Sequence, residues 1–326
     1  MKRRTGFLGL LTLGIAVIGS AGLMMNAKAA EAPAQKATPG YITIMWGRTN
    51  WQATTGKNCQ VVPGTRTLEQ NAQDMRAYGL KGTGGVVVSR TADSGISCFA
   101  GYTQQPSWQE IAKLRDVYGW TFISQGMEYK NMTLMKTDAQ REYESIDTIP
   151  IMKAKGHSRA WGAFNYANNK QDDAARRVVM KGFAFGRKYW DGRNTRSVVM
   201  RDRIMSTNSV NGGRCNNPNL QCYNMKVVNN RRSTGVDKMI RVLNPAQDGW
   251  GVLQFYRLVE GKRGQIGDSF AWDCSSSDWR NRWTSQPELT CRESFLDALR
   301  GRSKTAVSVD PATVADSWGV RPAIRY

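Results

Sequence analysis

Short apolar runs alternate along the chain with stretches whose apolar residues recur three and four apart. Residues 41–46, Tyr-Ile-Thr-Ile-Met-Trp, read as a strand. Thr67 can cap a helix with Gln70 at the capping-box position; the helix runs through Leu68, Ala72 and Met75 to about Tyr78 and stops at Gly79. A buried strand is expected at 85–89. Ser107 caps a helix over 108–118 with Trp108, Ile111, Ala112 and Leu114 on one face, ended by Gly119 and followed by a strand at 120–124. Thr137 opens a helix over 138–155, ended by Gly156, which Pro150 should kink or split. A strand at 158–164, a helix at 172–180 closed by Gly182, and a short strand at 183–185 come next. Residues 191–236 are rich in Asn, Arg and Gly and give no clear period. Beyond them a helix at 236–243, a strand at 249–256, a helix at 295–299 and a last strand at 305–309 are expected. Strands alternating with helices imply βαβ units and a parallel sheet, and about seven such units are enough to close a barrel.

The first residues follow another logic. Lys2, Arg3 and Arg4 precede an uncharged apolar run over 6–25, and Ala27-Lys28-Ala29 matches a small-x-small cleavage site. Residues 1–29 are therefore expected to be a signal peptide, 30–39 a flexible spacer and 40–326 a single domain. An uncleaved leader kept as a membrane anchor is the alternative. Cleavage places the protein outside a bacterial cell, secreted or bound to the envelope. Removing four of the 46 basic side chains with the leader leaves 42 against 26 acidic ones, a net charge of +16. That balance favours anionic polymers as partners and indicates no specific nucleic acid. A surface kept basic for solubility alone is the plainer reading. Eleven Trp and 40% hydrophobic residues exclude a tail-like chain.

Six cysteines, Cys59, Cys98, Cys215, Cys222, Cys274 and Cys291, form an even set, which in an exported chain reads as disulfides. The simplest pairing is local: Cys59–Cys98, Cys215–Cys222 and Cys274–Cys291. A zinc site is the weaker rival, because no Cys-x2-Cys spacing occurs and the chain has one histidine, His157. No metal and no other cofactor is expected.

The stretch PSWQEIAKLRDVYGWTFISQGMEYKNM, then GAFNYANNKQDDAARRVVMKGFAFGRK, then GWGVLQFYRL near Gly249 resemble, in order and spacing, the NodB-type polysaccharide deacetylases. These are carbohydrate esterases with a distorted (β/α) barrel. The resemblance implies that fold, and a site at the strand ends where an Asp and two His hold a divalent metal, a second Asp acts as base and a late His as acid. In this sequence the Asp-Asp pair falls at Trp46 and Gly47, the metal histidines at Gln125 and Tyr129, a turn proline at Asn165, and the late His at Tyr256.

Aromatic and amide side chains occupy that region instead: Trp46, Trp51, Gln125, Tyr129, Asn165, Tyr166 and Tyr256, with Arg48 and Arg257 nearby. Aromatic faces stack on sugar rings and amides bond hydroxyls, so the expected function is binding of a cell-wall or extracellular glycan without metal-dependent deacetylation. Packing aromatics plugging a dead cavity are the structural alternative. The enzymatic alternative is an esterase or hydrolase acting through Glu128, Tyr129 and Tyr256, and Gln125, Glu128, Tyr129 and Asn165 could together offer oxygens to a hard cation. The run Gly82-Thr-Gly-Gly85 precedes a strand and is not a phosphate loop. Mass spectrometry of the mature protein without reduction is expected to find all six cysteines in bridges; six free thiols would refute the export reading of the cysteines.

Overall fold

The computed structural model describes residues 40–46, 49, 51–52, 58–61, 66–99, 103–189, 193–209, 249–255, 259–260, 271–272 and 306–324. In chain order the elements are β1 (Gly40–Trp46), α1 (Leu68–Ala77), β2 (Gly82–Val86), β3 (Ser97–Phe99), β4 (Thr103–Gln105), α2 (Trp108–Tyr118), β5 (Thr121–Ser124), α3 (Asp138–Glu144), α4 (Thr148–Ala154), β6 (Ala163–Asn165), α5 (Asp173–Gly182) and β7 (Phe185–Tyr189). They continue with β8 (Arg193–Thr195), α6 (Arg196–Asp202), β9 (Ile204–Ser209), β10 (Gly249–Phe255), β11 (Val259–Glu260), β12 (Ala271–Trp272), β13 (Ala306–Ser308) and α7 (Pro311–Trp318).

The sheet runs β1-β2-β5-β6-β7-β9-β10, and β10 returns to pair with β1 over Tyr41–Trp46. Every one of these pairings is parallel, so the strands close a (β/α) barrel of the class the sequence implies. A further parallel strand, β13, lies beside the N-terminal half of β1, and β8 adds antiparallel to β10. The hairpin β3–β4 stands apart from the barrel sheet. No helix among the described residues is long and apolar enough to cross a membrane.

Local chemistry fixes the helix starts. Thr67 and Gln70, Ser107 and Glu110, and Thr137 and Gln140 each form a reciprocal capping box, satisfying two otherwise orphan N–H groups. The helix expected over 138–155 is two helices. Pro150 sits in the first turn of α4, where no N–H is needed, and the chain breaks at residues 145–147 because its ring would clash with the carbonyl four residues earlier. The strand expected at 85–89 lies three residues earlier, at 82–86, and Val88–Arg90 form a 3-10 turn. Glycines at 82 and 84 make that register possible: a methyl on Gly82 would lie 2.5 Å from the Trp120 ring, and one on Gly84 2.7 Å from Phe122. The last part of 158–164 does enter the sheet, as β6, after a 3-10 turn at Ala160–Gly162. The strand expected at 183–185 instead begins at Phe185, because the Phe183 N–H still bonds the α5 carbonyl of Val179 and its ring packs on Phe164 at 5.3 Å. The helices expected at 236–243 and 295–299 lie outside the described residues.

Alternation along β1 separates two layers. Ile42, Ile44 and Trp46 face outward to a core built with Leu68, Ala72, Met75, Ile111, Leu114, Trp120 and Phe122. Trp46 and Trp120 have ring centroids 4.6 Å apart, a pair worth ~0.5–1.5 kcal/mol beyond its area burial. Tyr41 and Met45 face inward, with Ile123, Ala163, Phe185, Met205, Trp250 and Val252. At the N-terminal end of the barrel Trp318 of α7 closes over this set, 5.9 Å from Trp250 and 6.3 Å edge-on to Tyr41.

His157 belongs to the outer layer, 5.2 Å from Phe122 and 5.8 Å from Trp108, with its Nε2 buried and meeting no hydrogen-bond partner. Burial first, and then the Arg115 guanidinium, pulls the imidazole from its ordinary 6.5 down to about 4. The unfolded chain therefore takes up a proton at higher pH than the folded one. Stability from this group is complete above about pH 6.5 and falls by about 3 kcal/mol as the pH drops to about 4, below which it is flat. Urea unfolding of His157→Leu across pH 4–7 is expected to lack that acid limb; an unchanged slope would contradict it.

Candidate site at the C-terminal mouth of the barrel

The interior changes character along the barrel axis. Aromatic and aliphatic side chains fill the N-terminal end and the middle. At the C-terminal end the inward positions of three neighbouring strands are polar. Asn165 of β6 and Arg187 of β7 are paired in register, and Ser124 of β5 pairs with Phe164, one residue before Asn165. Gln125 follows Ser124 and continues the row, its N–H bonded to the Val86 carbonyl at 2.7 Å. All three are buried. Arg187 Nη1 donates to Asn165 Oδ1 and, at 3.0 Å, to Asn169 Oδ1. Gln125 Oε1 is buried and meets no donor.

The rim above this floor is half-exposed and conformationally strained. Tyr129, Asn168 and Asn169 all have left-handed backbones, with φ of 64°, 52° and 58°. That conformation is unusual for a tyrosine. The Tyr129 hydroxyl donates to Asn168 Oδ1 at 3.2 Å and accepts the Asn168 N–H at 3.3 Å, so the loops after β5 and β6 are latched together. On its other side Tyr129 meets Phe99 edge-on at 6.3 Å. Phe99 is placed by its neighbour Cys98, which is disulfide-bonded to Cys59 with a Cα separation of 5.6 Å. This is the local pairing the sequence suggested; the other four cysteines lie outside the described residues.

The loop carrying Gln125 and Tyr129 is organised by Glu144, a residue that no local pattern singles out. The buried Glu144 carboxylate accepts the N–H of Glu128 at 3.1 Å and of Lys130 at 2.7 Å, and its backbone carbonyl accepts the N–H of Met127 at 2.9 Å. Gly126, at φ +99°, passes so close that any side chain would overlap Oε1. Burial pushes the Glu144 carboxyl up, against the pull of the two backbone donors.

Several sequence-chosen residues stand elsewhere. Trp46 is buried on the outward face against Trp120, so it is a core aromatic and not a sugar platform at the mouth. Tyr166 also faces outward, edge-on to Phe164, with burial raising its hydroxyl. One residue of alternation separates it from the inward Asn165. Trp51 packs against the outer core. The Glu128 carboxylate turns to the Tyr143 hydroxyl at 3.1 Å and to Lys130 at 2.5 Å, and the Lys130 hydrogen bond, then that of Tyr143, holds it below the usual carboxylate range. It is a paired anion on the α3 side, poorly suited to general acid chemistry. Arg48, Tyr256 and Arg257 lie outside the described residues.

The oxygen set considered for a hard cation is therefore not brought together. Glu128 points away, and the Asn165 oxygen already accepts from the cationic Arg187, which would repel a metal ion. Among the described residues no three His, Cys, Asp or Glu side chains form a metal-holding group. Arg187 was legible in one respect: it is a charge two residues after the buried Phe185 of the same strand, on the same period-two face.

The chain matches no family model and no curated protein. Among solved structures it is similar to a family 4 carbohydrate esterase from Streptomyces lividans in complex with acetate, at 10% identity and a TM-score of 0.37, covering 85% of this chain and 95% of that one.

Glu144→Ala is expected to lower stability by ~2–4 kcal/mol, the cost of orphaning two buried backbone donors after allowing for the relieved desolvation. Amide exchange at Glu128 and Lys130 should accelerate more than at the α2 amides; equal acceleration everywhere would show that Glu144 does not hold this loop.

Proposed function

We propose that this chain is an exported, non-hydrolytic binding protein whose barrel mouth takes a sugar segment of a cell-wall or extracellular polymer. The observation that carries the reading is the row Gln125–Asn165–Arg187 at the C-terminal ends of adjacent parallel strands. Buried polar groups cost free energy, and barrel closure needs none of them. Parallel α/β barrels place their ligands at this end, where the strand-end loops converge. Amide and guanidinium groups flanked by the Tyr129 ring are suited to hydroxyls and acyl oxygens on a ring that also offers an apolar face.

The leader pattern and the Cys59–Cys98 bond support export. The net positive charge favours retention on anionic wall polymer, through exposed Lys and Arg outside the mouth. The commitment of Glu128 to Lys130 and Tyr143 speaks against hydrolysis through that carboxylate.

Calorimetric titration of the mature protein with soluble peptidoglycan fragments and chito-oligosaccharides tests this. Arg187→Met, or Asn169→Ala at the half-exposed rim should the first not fold, is expected to weaken binding about tenfold or more, ~1.4 kcal/mol. Glu128→Gln should leave it unchanged. Acetate release from the acetylated probes that Glu128→Gln abolishes would instead make the protein an esterase.

A further inference from the structure

Gln125 contributes to the row an acceptor that no donor of the protein meets. Its carbonyl oxygen lies in a residue only 3% exposed and meets no donor. Its neighbour Arg187 has acceptors in Asn165 and Asn169, and Ser124 just before it accepts from Thr148 at 2.8 Å and from the Gly126 N–H at 3.1 Å. The Gln125 position is itself well fixed: its N–H continues the β2 ladder, and Glu144 holds the loop that leaves it. A local rearrangement that would satisfy the oxygen is therefore opposed on both sides.

Gln125 Oε1 is one of several buried polar atoms without a partner among the described residues, and two of the others show how its place differs. The Tyr166 hydroxyl and His157 Nε2 belong to side chains packed in the apolar layer between sheet and helices. Gln125 alone of the three lies on the inward row at the mouth. A buried carbonyl without a donor costs the protein stability unless something supplies the donor.

We infer that Gln125 Oε1 is a specificity determinant that accepts a hydrogen bond from the bound sugar, so that the mouth selects a ring presenting a free donor, a hydroxyl or an amide N–H, at that point and rejects one where the donor is blocked. This rests on the binding reading above and names the group that is read. A site built to bond a donor discriminates strongly against analogues that lack it, because the acceptor is then left buried and unpaired.

The test is Gln125→Met, close in shape and without the amide oxygen, measured twice. Without ligand, its urea midpoint should rise, corresponding to an unfolding equilibrium shifted at least about fivefold toward the folded state. With ligand, affinity for chito-oligosaccharides should fall about tenfold or more. Cello-oligosaccharides, which carry a hydroxyl in place of the acetamido group, separate the two donor sources: a comparable loss on both polymers assigns a hydroxyl, and a loss confined to the chitin series assigns the amide N–H. A destabilised Gln125→Met shows that the oxygen is satisfied within the protein and overturns the inference with no ligand involved. A stabilised variant that binds as well as the parent also overturns it, while leaving the binding reading intact. Failure of the parent protein to bind any of these sugars removes the binding reading and the inference with it.

Discussion

The pairing of β10 with β1 is the constraint from which the rest follows. Six residues of β1 align with six of β10, in the longest strand pairing described here. This pairing turns an open parallel sheet into a ring. A ring has no inner edge to leave unpaired, and each strand acquires an inside and an outside, both buried. From that point alternation decides every side chain's fate. Ile42, Ile44 and Trp46 join the helices, while Tyr41 and Met45 fill the interior. Thr43, inward between them, accepts the Trp250 indole N–H at 2.9 Å and donates its hydroxyl to the Val309 carbonyl at 2.7 Å, tying β1, β10 and the chain after β13 together.

The outer layer is as dependent on small residues as the inner layer is on large ones. Gly82 and Gly84 let Trp120 and Phe122 lie directly on β2, and Trp46 stacks on Trp120 from the other side. Replacing either glycine would force the rings off the sheet. The Gly82-Thr-Gly-Gly85 run, which in isolation looks like a flexible loop, is the surface against which the neighbouring strand's aromatics pack.

Much of this was legible in the sequence, and the failures have physical causes. Capping residues located the helix starts because those signals are local: Thr67, Ser107 and Thr137 act on N–H groups two or three residues away. Strand limits at β2 and β7 were displaced because they depend on what lies on the adjacent strand, which no local pattern records. The β3–β4 hairpin, β8, α6 and β9 went unread because they are short and carry polar residues on both faces. α7, absent from the expected elements, carries a local signature of its own: Asp310 as N-cap, Pro311 at the first position and Gly319 after the end, with Trp318 buried. Of the residues chosen for the site, Gln125, Tyr129 and Asn165 lie together at the mouth, while Trp46 and Tyr166 pack in the outer layer. Adjacency in sequence is not adjacency in space, because in a strand one residue reverses the side chain's direction. Glu144 was invisible because its role is to hold a loop 14 to 18 residues earlier in the chain.

The mouth combines features that are each unfavourable for folding alone. Three consecutive strands end in buried polar groups, and the loops above them hold Tyr129, Asn168 and Asn169 in left-handed conformations. A non-glycine residue there costs of order 1–2 kcal/mol, less for asparagine. Each is fixed from outside itself. Tyr129 and Asn168 exchange two hydrogen bonds, and Asn169 both donates its N–H to the Tyr166 carbonyl and accepts from Arg187. The loops after β5 and β6 are thereby coupled to β7 beneath them, so that moving any one of the three displaces the others. Strain and buried polarity are thus kept together at one end of the barrel, while the opposite end is sealed by the aromatic packing of Tyr41, Trp250 and Trp318, so the cost of the polar end is borne by a fold that is closed elsewhere.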